Sequence, residues 1–412
     1  MPAASLEREV LAALDPHRLV EQAQALIAVR TDGGEETPAQ ELMAAFLEEA
    51  GLRVDVWSID LERLRRDADY SAEIDRPRAL GVVGILGDGA GPTLVLNGHV
   101  DVVPPGDPER WSVHPFRPTL RDGELLGRGA ADMKGGLAAG LAALRAVHRA
   151  GVPLRGRVVF HSVVGEEDGG LGTLAALERG HTGDAALVLE PTGLDIGVVQ
   201  SGCLNFRLTL PGRAAHGALR HEGHSPLEDL SAVLARLGAL EEARNAAGDP
   251  GGFFAGTPPV PISVGVIRGG SWPSAVPESL VLEGRYGVLV GETFAEARAA
   301  FERALDGLDP APHVAWWGGR YRPAATDPET PVVRVLADAV ERVRGRAPRL
   351  VGAPFGSDLG LLATRGGMPA ALFGPGDIRR AHAPDEGVKV DELVDAARAL
   401  ALTVTRFVGS EP

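Results

Sequence analysis

Short apolar runs alternate with amphipathic stretches along the first half of the 412-residue chain. Runs rich in Val, Ile and Leu predict buried strands, and they include ALGVVGIL, TLVLNG, GRVVFHSVVG and DAALVLE. Between TLVLNG and GRVVFHSVVG, the stretch MKGGLAAGLAALRAVHRAG has the apolar spacing of a helix, and Gly151 marks its predicted end. Strands that alternate with helices predict an α/β sheet covered by helices on both faces.

The pattern changes after residue 202. Six segments there predict the order β-α-β-β-α-β: CLNFRLTL, SPLEDLSAVLARLGALEEA, VPISVGVIRG, SLVLEGRYGVL, ETFAEARAAFERALDGL and HVAWWGG. This is a split β-α-β layout of the ferredoxin-like kind, with the size of a small domain. Longer helical stretches return after residue 322. We therefore predict a discontinuous α/β domain, 1–202 and 323–412, into which a domain of residues 203–322 is inserted.

Composition and charge exclude several classes of partner. The formal net charge of −15 argues against nucleic acid and anionic membranes, since both require a basic surface. Cys203 is the single cysteine, so no internal disulfide can form, which fits a reducing cytoplasm. The start, MPAASLEREVLAALD, is charged and amphipathic rather than a signal peptide, and no apolar run approaches the ~20 residues of a membrane span. We expect a soluble cytoplasmic protein.

The first candidate for chemistry is a histidine that precedes an aspartate by two residues. His99 and Asp101 follow the apolar run TLVLN, where a predicted strand leads into a loop. Residues i and i+2 of an extended backbone point the same way, so both side chains can project from the strand end. Alone, such a pair is more often a structural hydrogen bond than part of a functional site.

Further acidic and imidazole residues lie where apolar runs meet Gly-rich turns: Asp132, Glu166, Glu167, Glu190 and His382. Ligands of open α/β sheets collect beyond the carboxyl ends of the strands, so we expect these side chains to converge with His99. Each has a simple alternative role, such as a helix N-cap for Asp132, a solvated loop for the glutamates and a surface position for His382. Together, two imidazoles and several carboxylates suit zinc or a similar divalent metal.

Seven segments in combination resemble one family: NGHVDVVPPG, GRGAADMKGG, GEEDGGLGT, EPTG, RAAHG, WPSAVPESLVLEGR and GPGDIRRAHAPDE. The family is that of the dinuclear zinc amidohydrolases, which include acetylornithine deacetylase, succinyl-diaminopimelate desuccinylase, aminoacylase and glutamate carboxypeptidase. The resemblance covers nearly the whole chain. It implies a zinc-exopeptidase-like mixed sheet flanked by helices, with 203–322 as an inserted lid and dimerisation domain.

The resemblance also implies how two divalent ions are bound. His99 and Glu190 would hold one ion, Glu167 and His382 would hold the other, and Asp132 would bridge them. Zinc is the expected metal, with cobalt or manganese as alternatives. Two such ions would polarise an amide carbonyl and lower the pKa of a bridging water toward ~7.

Three further residues receive catalytic roles from the resemblance. Glu166 would be the general base, which suits its position because neighbouring residues of an extended backbone point to opposite sides and Glu167 is taken as a ligand. Asp101 would orient the ring of His99. His216 would reach the active site of the partner subunit in a homodimer and stabilise the oxyanion.

Substrate binding is assigned in the same way. Arg285 matches an arginine that holds a substrate carboxylate, and the backbone N–H groups of Gly374 and Gly376 could contact the same carboxylate. Ser274 stands where the family usually has asparagine, so substrate preference does not transfer directly. We expect a small N-acyl amino acid or a dipeptide as the substrate.

Several activities remain open from the sequence. The expected reaction is hydrolysis of the amide bond of an N-acyl amino acid, as in deacetylation or desuccinylation. A dipeptidase or carboxypeptidase and a deformylase are alternatives on the same scaffold. Arg379 and Arg380 are candidate cations for a dicarboxylate acyl chain, which would favour desuccinylation. An inactive binding protein is the remote alternative, because every ligand and base position is filled.

Overall fold

The computed structural model of the protein describes residues 3–246, 249 and 251–409. The chain forms two compact units. The first unit contains the chain up to Val199, the segment Ala325–Val351 and the chain from Ser357 onward, and the second contains Gln200–Ala324 and Gly352–Gly356. Among the described residues, no helix combines the length and the apolar character that crossing a membrane requires.

The chain up to the second unit alternates helices with strands. Its helices are α1 (Ala3–Ala12), α2 (Pro16–Ala28), α3 (Thr37–Glu49), α4 (Leu61–Leu64), α5 (Lys134–Arg149) and α6 (Leu171–Glu178). Its strands are β1 (Arg53–Ser58), β2 (Leu80–Leu86), β3 (Thr93–His99), β4 (Thr119–Arg121), β5 (Glu124–Leu126), β6 (Arg157–Val163), β7 (Ala185–Val188) and β8 (Ile196–Gln200).

The second unit has the predicted order of elements. These are β9 (Gly202–Pro211), β10 (Ala215–His216), α7 (Pro226–Asn245), β11 (Ile262–Gly269), β12 (Ala275–Val276), β13 (Ser279–Val288), α8 (Phe294–Ala304) and β14 (His313–Tyr321). Four strands form an antiparallel sheet in the order β11-β13-β9-β14, and the short strands β10 and β12 pair separately. Phe206 of β9 packs on Phe301 of α8, with ring centroids 4.7 Å apart, in the core between sheet and helices.

The chain then returns to the first unit. The remaining elements are β15 (Ala324–Ala325), α9 (Pro331–Arg344), β16 (Leu350–Ala353), α10 (Leu359–Thr364), β17 (Ala370–Leu372), β18 (Gly387–Lys389) and α11 (Val390–Phe407). The large sheet has the order β1-β2-β6-β3-β7-β17-β8-β15, and β16 pairs with β8. The strands β6, β3, β7 and β17 are parallel to one another, whereas β1–β2, β2–β6 and β17–β8 are antiparallel pairs. The predicted mixed sheet flanked by helices is therefore confirmed.

The packing of helix α5 brings it close to the carboxyl end of strand β7. Nearly every residue of α5 is buried, and the helix packs on β3 and on α2 and α11. A Cβ atom on Gly136 would collide with the carbonyl oxygen of Leu189, which directly precedes Glu190. A glycine at this position thus lets the helix approach the end of β7, where a predicted functional residue lies.

Candidate metal centre

The predicted ligands lie at one edge of the large sheet. His99 is the last residue of β3, Glu166 and Glu167 follow β6, Glu190 follows β7, and His382 lies in the loop after β17. These four strands are parallel, so their carboxyl ends meet at the same edge, which is where such sheets bind ligands.

Asp132, in the loop before α5, lies between the two histidines. One carboxylate oxygen, Oδ1, is 3.2 Å from Nε2 of His99, and the other, Oδ2, is 3.4 Å from Nε2 of His382. The same nitrogen of His382 lies 3.1 Å from the carboxylate of Glu167. The alternative role of Asp132 as a helix N-cap is not observed, because Met133 occupies that position.

Two groups of donors are close enough to hold an ion. The donor atoms of His99, Asp132 and Glu167 lie within 4.8 Å of one another, and so do those of His99, Glu166 and Glu190. Glu166 and Glu190 are equally distant from the ring of His99, with carboxylate oxygens 3.9 Å from Nε2. Distance alone therefore does not distinguish the predicted base, Glu166, from the predicted ligand, Glu190.

The charges of this cluster fit divalent cations. Burial raises the pKa of Glu166 and of Glu190 well above the ordinary value, and neighbouring carboxylates raise it further. The carboxylate of Glu167 is the main cause that raises the pKa of His382 to about 11. Buried carboxylates that repel one another and share imidazoles form a donor set that a divalent metal ion would neutralise.

Asp101 orients His99 in a different way from the predicted one. Its carbonyl oxygen accepts a hydrogen bond from Nδ1 of His99 at 2.9 Å, whereas its carboxylate oxygen is 3.7 Å from that nitrogen. The other carboxylate oxygen accepts a hydrogen bond from the backbone N–H of Glu167 at 3.0 Å. A proton on Nδ1 leaves the lone pair of Nε2 facing Asp132, as metal binding requires.

Comparisons to known proteins bear on the family and the fold of this chain. The family model of "Peptidase family M20/M25/M40" matches residues 95–406. The chain belongs to peptidase family M20/M25/M40. This confirms the family that the sequence motifs indicated, and it makes the protein an enzyme of a metal-dependent family that hydrolyses amide bonds.

Individual members of the family differ in the activity for which they are named. The chain is 28% identical to N-formyl-4-amino-5-aminomethyl-2-methylpyrimidine deformylase of Bacillus subtilis, over 93% of this chain and 92% of the relative. It is 32% identical to succinyl-diaminopimelate desuccinylase of Gluconacetobacter diazotrophicus, over 78% and 82%. The M20 metallo-carboxypeptidase Sso-CP2 of Sulfolobus solfataricus has the same fold, with a TM-score of 0.75, 16% identity and coverage of 94% and 99%.

The second unit of this M20 member carries His216 at the end of the two-residue strand β10, in an exposed segment that we call the His216 loop. Strand β10, which ends at His216, pairs with β12, and the backbone N–H of Gly217 donates to the carbonyl oxygen of Ser274 at 2.7 Å. Nδ1 of His216 accepts a hydrogen bond from the N–H of Ala218 at 3.2 Å. In the neutral ring the proton therefore lies on Nε2, which is left as a donor. Ser274 is exposed and contributes its backbone to this pairing.

Arg285 is half-buried on β13. Its Nη2 donates to the carbonyl oxygen of Pro354 at 3.2 Å, and its Nε lies 3.4 Å from the thiol sulfur of Cys203. Neither partner is an anion, so the positive charge of the guanidinium is not neutralised by these two contacts.

The backbone N–H groups of Gly374 and Gly376, which we predicted could contact a substrate carboxylate, both have acceptors within the protein. The N–H of Gly374 donates to the hydroxyl of Thr192 at 3.2 Å, and the N–H of Gly376 donates to the carboxylate of Glu392 at 3.0 Å. Both groups are therefore engaged within the protein. Thr192 is 182 residues from Gly374 in the sequence, and Glu392 is 16 residues from Gly376, on α11.

Arg379 and Arg380 are also engaged within the protein. Arg379 is exposed and donates from Nε to Asp377 at 2.9 Å. Arg380 donates to Glu124 at 2.9 Å and to the carbonyl oxygen of Asp385 at 2.8 Å. Because protein carboxylates already pair with both cations, they give little support to recognition of a dicarboxylate acyl chain.

Sequence reasoning missed the side chains that hold the loop of Glu166 and Glu167. Asp168 is buried rather than solvated, and its carboxylate pairs with Arg76 at 2.7 Å. Arg76 also pairs with the buried Glu36 at 2.8 Å. Ion pairs between segments so far apart leave no periodic signal in the sequence.

A second group behind the strand ends was also missed. Asp358 is buried, and it accepts a hydrogen bond from the hydroxyl of Thr173 at 2.6 Å, which in turn accepts one from the side chain of Asn97 at 2.7 Å. Burial raises the pKa of Asp358 to about 7. Asn97 lies two residues before His99 on β3, so this network stabilises the strand that carries a predicted ligand.

Proposed function

We propose that this M20 member hydrolyses the amide bond of an N-acyl amino acid with two bound divalent ions. The arrangement of Asp132 supports this function most strongly, because its two carboxylate oxygens face two different histidines within a buried acidic cluster. His99 and Glu190 would hold one ion, Glu167 and His382 the other, and Asp132 both. Zinc suits this mixed set of imidazoles and carboxylates.

The bound ions would polarise the scissile carbonyl and make a water molecule easier to deprotonate. Glu166 would accept the proton from that water and then deliver it to the leaving nitrogen, which must be protonated to depart. The hydrogen bond from Nδ1–H of His99 to the carbonyl oxygen of Asp101 would keep the imidazole in one tautomer during the reaction.

His216 would stabilise the oxyanion that forms when water attacks the carbonyl. Its exposed position and the proton on Nε2 support this role, since an oxyanion needs a donor that is not already engaged. By analogy with the family, we place this donor in the active site of a partner subunit, so that residues 203–322 would act as a lid and dimerisation domain.

The surface of the second unit supports a homodimer. Leu227 and Leu234 are exposed on α7, with 55% and 42% of their surface accessible, and they are seven residues apart on one side of the helix. Ile267 is 53% exposed on β11, which is an edge strand. An apolar helix side next to an open strand edge offers contacts that a twofold partner can cover.

The proposed substrate class rests on Arg285, whose two hydrogen-bonding partners described above are not anions. Arg285 would bind the carboxylate of the amino acid, since a planar guanidinium accommodates both carboxylate oxygens. We propose a cytoplasmic location, supported by the single buried Cys203, which needs no oxidising compartment.

A deformylase acting on an N-formyl amine is the second candidate. The similarity to the Bacillus subtilis deformylase extends over 93% of this chain, against 78% for the desuccinylase. The engagement of Arg379 and Arg380 with protein carboxylates also favours a small, uncharged acyl group.

A hydrolysis screen tests these proposals. Purified protein would be loaded separately with zinc, cobalt or manganese and assayed with N-formyl, N-acetyl and N-succinyl amino acids, an N-formyl aminomethylpyrimidine and dipeptides. We expect turnover of N-acetyl or N-formyl substrates by metal-loaded protein and none after chelation. Turnover of dipeptides alone would overturn the proposal in favour of a peptidase.

A further inference from the structure

Glu386 lies at the meeting point of two loops that carry predicted ligands. The side chain is fully buried, with 0% exposed surface. Its Oε1 accepts hydrogen bonds from the backbone N–H groups of Ala131 at 2.9 Å and Asp132 at 3.0 Å. Its Oε2 accepts from Nη1 of Arg128 at 2.6 Å and from the N–H of Gly129 at 3.1 Å. Each carboxylate oxygen thus has two donors, which fills its acceptor capacity.

The backbone around Glu386 reinforces this connection. The N–H of Gly127 donates to the carbonyl oxygen of Glu386 at 2.9 Å, and Gly387 pairs with Leu126 where β18 meets β5. Glu386 also follows His382 by four residues in the same loop. Residues 382–386 therefore carry one predicted ligand, His382, and also the carboxylate of Glu386, which binds the loop of a second predicted ligand, Asp132.

We propose that Glu386 is a positioning residue that fixes the bridging carboxylate of Asp132 relative to His382. The inference rests on the proposed role of Asp132 as a bridge. Oε1 binds the N–H of Asp132 itself, so the backbone at this residue cannot shift without breaking a charge-assisted hydrogen bond. With its backbone held in place, Asp132 can direct its side chain to both His99 and His382. Glu386 would act through the Asp132 loop, since the four donors to its carboxylate all belong to residues 128–132.

The chemistry of the contact predicts what a neutral side chain would do. An amide at position 386 would keep one oxygen as an acceptor, but its nitrogen would face two donors, from Arg128 and Gly129 or from Ala131 and Asp132. Two of the four hydrogen bonds would be lost and replaced by donor–donor contacts. The loop of Asp132 would move, and the two ion positions that share this carboxylate would both weaken.

The test compares Glu386→Gln with the control Asp195→Asn in the full-length protein. Asp195 is also a buried carboxylate of the first unit that binds one arginine, Arg349, and a backbone N–H, but it contacts no predicted ligand. Zinc affinity would be measured by competition with a chromophoric chelator, and the visible spectrum would be recorded after cobalt loading. We expect Glu386→Gln to weaken zinc binding by about 10- to 100-fold and to alter the cobalt spectrum. Asp195→Asn should change neither.

Glu386→Asp provides a second route if the amide variant does not fold. It keeps the negative charge beside Arg128 but shortens the reach toward Ala131 and Asp132, so we expect a folded protein with weakened zinc binding. Wild-type zinc affinity and an unchanged cobalt spectrum in either folded variant would overturn the proposal, as would an equal loss in Asp195→Asn. Asp132→Asn separates the two levels of inference: if it retains wild-type zinc binding, the bridge itself is wrong.

Discussion

The sheet edge of the first unit and the His216 loop of the second unit are built differently. At the sheet edge, His99 and Glu190 are 1% and 3% exposed, and the two ring nitrogens of His99 have hydrogen-bonding partners in Asp101 and Asp132. His382 is the exception among the predicted ligands, since half of its side chain is exposed. His216 is exposed and is held by a strand pair of two residues. Metal ions require ligands held in fixed geometry, whereas a residue that meets a substrate is often placed on a surface loop. This difference is what we expect if the proposed metal ligands belong to the first unit and the proposed oxyanion donor, His216, belongs to the second.

The largest expected effect is the loss of turnover caused by a substitution in the first unit. Glu166→Gln should lower turnover by about 100- to 10,000-fold, because a neutral amide cannot accept a proton from water. The Glu166→Gln variant should retain two metal ions. Glu190 is the matched control, because its carboxylate is the same distance from Nε2 of His99 as that of Glu166. Glu190→Gln should lose metal, so metal analysis of the two variants distinguishes the base from the ligand. Loss of a full metal equivalent in Glu166→Gln would reverse these roles.

A smaller effect on turnover is expected from the second unit. His216→Ala should lower turnover by about 100- to 1,000-fold, the scale of one lost oxyanion donor, without changing metal content or melting temperature. His221→Ala, a change of a nearby exposed histidine, is the control and should behave as the wild type.

Mixing His216→Ala with Glu166→Gln sharpens this result. If His216 acts across a twofold dimer, random subunit exchange should restore about a quarter of wild-type sites. A mixture that stays inactive after demonstrated exchange would contradict the composite site.

The last comparison concerns stability rather than turnover, and its control variant carries the smallest expected effect. Arg76→Met removes a buried cation and leaves Glu36 and Asp168 uncompensated, which should lower the free energy of unfolding by about 3–5 kcal/mol. Arg268→Met is the control in the second unit, because Arg268 pairs with Glu283 at 3.0 Å while its side chain is 67% exposed. There we expect a loss within about 1 kcal/mol. Urea denaturation of the metal-free variants measures both, and equal losses would contradict the comparison.

The placement of the predicted ligands at strand ends could be predicted from the sequence for a local reason. An apolar run followed by a polar residue and glycine marks a strand end, and parallel strands bring such ends together, as at His99, Glu167 and Glu190. The β-α-β-β-α-β order was visible in the same way, from changes of apolar spacing along the chain.

The supporting contacts were not predictable because their partners lie far apart in sequence. Arg76 and Asp168 are separated by 92 residues, and Arg128 and Glu386 by 258. Pairing of this kind follows from the assembled fold and leaves no periodic pattern. The same reason explains why Thr192, which is 182 residues from Gly374, was not predicted as the acceptor of its N–H group.

Metal content of Asp132→Asn tests the central claim most directly. Wild-type protein and the variant would be loaded with zinc, dialysed and measured by elemental mass spectrometry, with Glu190→Ala and His382→Ala alongside. We predict two ions in the wild type, loss of one in each alanine variant, and weakened binding of both in Asp132→Asn, because its carboxylate lies between His99 and His382. Two ions bound with wild-type affinity in Asp132→Asn would contradict the account.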